Sequence, residues 1–535
     1  MTATIAPYRS PHPAGRDGFA QLLHAEWTKF RTVRGWVVGI LLAALLMVLL
    51  ALLTANGSHA GSCINGKCTV NKPTVLTGPG GEAVDDSFYF VHQPLAGNGN
   101  ITARLTSMTG LYSPNGGAPA GQGPTAGLQP GLQPWTKVGL IVKQNTTQGS
   151  AYAAIMLTGS HGVRMQYNYT HDTAGPVDTR SAVSATSPRW LRLTRSGTTF
   201  TGYESADGAT WTKVGSAQLS ELSGTLQAGM FAASPDHSVT KTHLGGGSFT
   251  GGPTRVTGVF DHVDLQGGSD AQWSGAHIGA GGPGPGQLLG LGFHQAGDTV
   301  TVTGSGDIAP GVGGAAGNSG EGVERTLVGA FAGLIVVIVL ATLFITSEYR
   351  RGLIRTTLAA SPRRGRVLAA KALVIGAVTF VAGLVAAVVA MPLAEHILRA
   401  NGNAIYPVSI LIKARVIVGT AALLAVAAVL TLAVGTLLRR SAGAVTLVVA
   451  ATVLPYIVAT ASVLPTVPSQ WLLRLTPAAG FAVQQSLVRY PQVSADYTPF
   501  NGYYPLPPWA GFAVLCGYAG LAVALAVFAL RRRDA

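Results

Sequence analysis

A membrane protein of six helices, with a large β-rich insertion after the first, is what this sequence predicts on three observations. Charged residues make up 11% of the 535, where soluble domains carry about a quarter. Six apolar runs are each long enough to cross a bilayer, which takes about 20 residues of helix. Between the first and second runs, residues 55–325 change character: Gly, Ser and Thr abound, and polar and apolar residues alternate with period two.

The first run, Trp36–Leu53, starts too late for a signal peptide and lacks a small-x-small cleavage site, so it reads as a retained helix. The others are Val328–Thr346, Leu368–Leu393, Val416–Leu438, Ala442–Leu464 and Trp509–Leu530. None holds a carboxylate. A carboxylate at membrane depth ordinarily marks an ion or proton path, so nothing here suggests a proton-driven pump.

Basic residues set the orientation. Lys29, Arg31 and Arg34 precede the first run. Arg350, Arg351, Arg355, Arg363, Arg364, Arg366 and Lys371 fill the connection between the second and third. Arg439 and Arg440 separate the fourth and fifth, and Arg531, Arg532 and Arg533 follow the sixth. With six crossings these groups share one side, which predicts cytoplasmic termini in a cell membrane and an extracytoplasmic 55–325. Arg399, Lys413, Arg415, Arg474 and Arg489 fall on the other side, where long side chains can snorkel to the interface. The net charge of +14 thus follows the bilayer, and nucleic acid is not an expected partner.

Within the insertion, residues 55–84 read as a linker containing Cys63 and Cys68, close enough in CINGKC to form a small disulfide loop on the oxidising side, two free thiols being the other reading. Residues 85–310 read as a β-sandwich. Ile101–Met108, Lys137–Gln144, Tyr152–Gly159, Gly162–Thr170, Arg189–Gly197, Thr199–Ala206 and Leu226–Ser234 are strand candidates bounded by turn residues. Ser196-Gly197 and Asp207-Gly208 mark hairpin tips. Thr254–Gln266 and Asp298–Gly306 add strands, either to the same sandwich or to a second, smaller one. Ser113–Pro134 reads as a loop insertion, and the Gly-rich 311–325 as a tether into the helical part, 326–535.

Chemistry is sparse. No G-x-x-x-x-G-K-[ST] phosphate loop occurs, since Gly66-Lys67 is followed by Cys68. His spacing signals no metal. Asp85, Asp86, Glu204, Asp207 and Glu221 are the carboxylates a glycosidase could draw on, but Asp207 sits in a turn, where Asp is ordinarily structural. Neither a catalytic residue nor a cofactor is therefore assigned to this chain. Trp135, Trp190, Trp211, Tyr167 and Tyr169 are candidates for stacking on sugar rings, with burial in the sandwich core as the alternative. The segment Ser347–Lys371 interleaves basic residues with Leu353, Ile354, Leu358 and Val367. It reads as a short amphipathic helix, serving either as a lipid anchor or as a docking surface.

AEWTKFRTVRGW before the first helix and ITSEYRRGLIRTTLAASPRRGRVLAAKA after the second resemble ABC-2 type ABC transporter permeases, over residues 20–54 and 325–535. The resemblance implies a membrane subunit of an exporter, with ATP and Mg bound by a separate ATPase subunit and a second permease subunit beside it. It implies ATPase coupling at Glu348, Tyr349, Arg350, Arg351, Gly352 and Arg355, within the loop 347–371. Trp471–Leu487 is similar to the short re-entrant helices that precede the last helix in that family, and the large insertion is a departure from many members. Residues 85–240 resemble a concanavalin A-like, laminin-G-type jelly roll, a fold that often binds glycan, though fold alone does not establish function. The expectation is an exporter subunit whose outer domain handles a hydrophobic or glycosylated substrate. A glycan-binding sensor or adhesin anchored by several helices is the alternative.

Overall fold

The computed structural model describes residues 18–64, 67–70, 75–114, 127–176, 183–243, 246–268, 271–279, 290–312, 320–350, 352–360, 363–461, 464–494, 497–499 and 502–532. Ten α-helices are described: α1 (Phe19–Thr32), α2 (Arg34–Gly57), α3 (Ala330–Arg350), α4 (Leu353–Ala360), α5 (Arg364–Ala400), α6 (Ile410–Leu438), α7 (Ser441–Thr452), α8 (Leu454–Thr460), α9 (Thr466–Leu475) and α10 (Pro508–Arg532). Six stretches are long and apolar enough to cross a membrane: α2, α3, α5, α6, the pair α7–α8 and α10. The six-helix expectation and the large antiparallel insertion therefore both stand.

The helices outgrow the apolar runs that predicted them. At about 1.5 Å per residue, α5 is roughly 55 Å long against about 30 Å of hydrocarbon, so both its ends carry charged residues beyond the apolar stretch. The fifth crossing is also broken: α7 ends at Thr452, and α8 restarts with Pro455 in its first turn, where the missing N–H costs no helix hydrogen bond. Helix α6 is the most enclosed, 67% of its apolar window being buried against 22% for α2. Its Ser409 cap accepts from the Ile412 N–H. Between α9 and α10 a 3-10 helix, Pro477–Gln484, is buried along its whole length.

The β-rich part is built on one long strand, Phe88–Tyr112. Along one side it pairs with Leu226–Ala233 and Arg189–Ser196, and along the other with Thr254–Gly268 and Ser274–Ile278. Thr299–Gly304 then pairs with Thr254–Gly268, so the later strands complete the same sandwich. Lys137–Lys143 and Tyr152–Thr158 are buried at every position. Val138, Leu140, Val142, Ala153 and Ile155 face the main core, while Ile141, Tyr152, Ala154 and Met156 pack into a second one with Phe88, Phe90 and Phe231. The hairpin tip expected at Ser196-Gly197 lies one residue later. Ser196 pairs with Thr199, and Gly197 at φ +62° supplies the left-handed turn.

Cys63 and Cys68 face each other in the register of a short hairpin, Gly61–Ile64 with Lys67–Val70; their side chains are outside the described ones. The loop 115–126 and the tether residues 313–319 also fall outside the described residues. Sandwich and bundle touch directly. Gln492 Nε2 donates to the carbonyls of Tyr169 and Thr170 at 3.4 and 3.2 Å, while Gly320–Glu321 runs parallel to Ala404–Ile405.

Candidate functional site

At the end of the bundle away from the sandwich, four charged side chains from three helices meet. Helix α1 turns Leu23, Glu26 and Phe30 toward the bundle at helical spacing, with Glu26 and Phe30 buried. Lys371, in the first third of α5, donates to Glu26 Oε2 at 2.6 Å and to Glu348 Oε1 at 2.5 Å. Lys29 donates to Glu26 Oε1 at 2.9 Å and lies 3.5 Å from Glu348. Two ammoniums and two carboxylates leave the group neutral, the condition under which charge survives burial. Burial alone would lower the Lys29 pKa, but its two carboxylate partners raise it overall. The Lys371 ammonium also stands 5.3 Å from the Phe344 ring, which packs edge-on against Phe30 and Trp36.

The segment after α3 decodes residue by residue. Glu348 points inward, into the ion cluster, where its second oxygen has no partner among the described residues. Tyr349 is half-buried, with the Arg439 guanidinium 5.2 Å from its ring. Gly352 takes φ +69° and donates its N–H to the Tyr349 carbonyl at 3.2 Å, a left-handed helix end that favours glycine. Helix α4 follows, with Ile354 packed on Val367, Leu22 and Tyr349, and Lys29 reaches Thr357 at 3.4 Å. Of the six expected coupling residues, Glu348, Tyr349 and Gly352 thus build the support. Arg350 is exposed, Arg355 lies on α4 with its side chain outside the described ones, and Arg351 is outside the described residues.

What the sequence reading missed is Lys371 and Glu26. Lys371 was grouped with the basic loop, and Glu26 carried no assignment. Because α1 folds against α3 and α5, both carboxylates end beside the one lysine inside an apolar run. A signal was present: a lysine inside an apolar run asks for a carboxylate partner.

In the sandwich, Trp135 and Tyr169 are buried and offer no face to a sugar, which removes both from the glycan candidates. Trp135 is stacked on His161 at 3.9 Å. Tyr169 donates its hydroxyl to Asp86 Oδ2 at 2.8 Å, beside Lys143 on the same oxygen at 2.8 Å. Burial, then the Asp86 charge, pushes the Tyr169 hydroxyl far up, while burial pulls Lys143 down. Tyr167 stays half-exposed, stacked on His171 at 4.3 Å, and the Trp211 ring lies 3.9 Å under the Arg192 guanidinium. Asp207 accepts from the N–H groups of Thr210 and Ala209 and from Ser205, which hold its pKa well below the usual carboxylate range. Among the described residues, no three His, Cys, Asp or Glu side chains gather as a metal requires.

A family profile described as ABC-2 family transporter protein matches residues 146–535, from inside the sandwich to the end of the chain. No curated protein matches the chain. One solved structure, titled "The crystal structure of a functionally unknown protein from Saccharomyces cerevisiae", is 16% identical with a TM-score of 0.21, over 38% of this chain and 90% of that one. A likeness so slight carries no argument about the fold.

Proposed function

Because the chain belongs to the ABC-2 transporter family and so is a multi-pass membrane subunit, we propose that it is the permease of an ATP-driven exporter, powered by a separate ATPase subunit. The observation that supports this reading is the ion cluster of Glu26, Lys29, Glu348 and Lys371. It ties α1, α3 and α5 into one unit at the end where α4 and Arg350 face outward. A partner pressing on α4 would move the two membrane helices with it. Nucleotide binding by that partner would then shift the inward- and outward-facing states through its differential affinity for them.

On this reading the cluster end is cytoplasmic, a second permease copy completes the pathway, and ATP and Mg stay with the partner. Arg350, Arg351 and Arg355 are the contact residues, while Glu348 and Gly352 hold the platform. The sandwich lies outside, with half-exposed Tyr167, Trp190 and Trp211 as its remaining candidate aromatics for a glycan or a hydrophobic substrate. On that oxidising side Cys63 and Cys68, opposite in register, form a disulfide. Alkylation of both thiols in untreated protein would sink that pairing.

Affinity purification of the full chain in mild detergent from its native host tests the proposal. A stoichiometric polypeptide carrying a phosphate-binding loop is expected by mass spectrometry, and depleted about tenfold by Arg350→Ala with Arg355→Ala. An eluate with no such polypeptide under any mild condition overturns the reading.

A further inference from the structure

At the sandwich end of the bundle, a cavity of about 280 Å³ opens between α2, α3, α8 and the 3-10 helices Val323–Leu327 and Pro477–Gln484. Three aromatic rings form part of its wall, beside Leu327, Val328 and Leu398. Phe331, Tyr456 and Tyr504 line it, and Phe331 is stacked on Phe481 at 4.8 Å. One carboxylate, Glu324, faces this space, held by a hydrogen bond from the Ser486 hydroxyl. Gly502 at φ +77° leaves room for that carboxylate, since a Cβ there would stand 2.1 Å from Glu324 Oε1.

The charges around the cavity do not cancel. Arg325, the one basic residue among the described residues of its lining, is paired with Glu321 at 3.2 Å and its charge also favours ionised Glu324, so one cation is set against two carboxylates. The other titratable groups near it are the Tyr456 and Tyr504 hydroxyls, 3.4 Å apart. A negative charge beside aromatic faces, in a mostly apolar chamber, attracts a cation with apolar arms. We propose that this cavity is a binding site for an amphipathic organic cation, with Glu324 as its counter-charge and Phe331, Tyr456 and Tyr504 as its aromatic box. Burial raises the Glu324 pKa above its ordinary value, opposed by the Ser486 hydrogen bond. A bound cation would draw it back to the ionised form.

This site names a substrate class for the exporter reading and rests on that reading only for transport; binding itself needs no ATPase. The full chain in phosphatidylcholine nanodiscs is titrated with radiolabelled tetraphenylphosphonium, empty nanodiscs being subtracted and neutral triphenylphosphine oxide serving as competitor. Saturable binding is expected, weakened about tenfold or more by Glu324→Gln. In the wild type, affinity rises with pH as the carboxyl ionises, at a pH above the ordinary carboxylate range; in the variant that trend is lost. The pH series and the competitor keep the test valid if the variant does not fold. Equal binding by a folded Glu324→Gln protein, equal competition by the neutral compound, or no saturable binding overturns the proposal. Any of these leaves the transporter reading to the partner purification.

Discussion

The two ends of the helical bundle bury charge on different terms. Away from the sandwich, Lys371 and Lys29 meet Glu26 and Glu348 in a neutral cluster sealed under Phe344 and α1. Toward the sandwich, Glu324 faces a cavity with a hydroxyl for a partner, and in the sandwich itself burial, then the Asp307 charge, raises the Asp236 carboxyl to about 6. A completed cluster makes a rigid joint. An incomplete one leaves a group able to respond to a ligand or a proton, so the first end suits force transmission and the second suits recognition.

The largest effect should come from breaking the completed cluster. Lys371→Met leaves two buried carboxylates with only half-exposed Lys29, and removing one partner of a buried pair costs about 3–5 kcal/mol. Thermal unfolding in detergent should show a drop of many degrees. A shift no larger than that of a surface lysine variant would mean the cluster is not a joint.

Next is pH. Asp236 rises from 3.8 to about 6 through burial and the Asp307 charge. Its folded pKa lies above its unfolded one, so the stabilising protonated form is lost as pH rises through that window. Unfolding of the full chain should therefore grow easier from pH 4 to pH 6 by at most about 2–3 kcal/mol, and Asp236→Asn should remove that slope. A slope of the opposite sign, or one unchanged in the variant, would place the titration elsewhere.

Smallest in stability is Gly352→Ala. A side chain at φ +69° costs about 1 kcal/mol, yet α4 hangs from this turn. Little change in unfolding with reduced ATPase capture is expected; unaltered capture would separate α4 from coupling.

How far all this was legible in the sequence differs between the same regions. Hydrocarbon demands about 20 apolar residues per helix and tolerates few charges, so the six crossings could be read one run at a time. The ion cluster could not, because Lys371 finds Glu26 at a separation of 345 residues. The side chain of Glu348 therefore looked like part of a docking loop. Four basic residues on the side with fewer of them look misplaced until their partners are known. Arg399 and Lys413 share Glu395 at 2.7 and 2.9 Å, and Arg474 and Arg489 lie near the Trp471 and Tyr497 rings.

In the sandwich, alternation revealed most strands but hid the reach of Phe88–Tyr112, of which only Ile101–Met108 had been read. Gly97-Asn98-Gly99 looks like a turn. In the fold, Gly99 lets the strand pass close to its neighbour, a Cβ there standing 2.1 Å from the Gln266 carbonyl. Tyr169 failed as a surface candidate because a second core covers the far face of the sheet, and Trp135 because His161 and the Arg164 guanidinium lie against its ring, neither of which period-two alternation can foretell.

The most direct test of the exporter account uses the two ends against each other. A photo-crosslinking residue is placed in the full chain at exposed Thr356 on α4, or at exposed Ala400 at the opposite end of α5, and irradiated in native membranes. The account predicts a crosslink from 356, and none from 400, to a polypeptide bearing an ATP-binding loop. A crosslink to such a polypeptide from 400 alone, or from neither position, would contradict it.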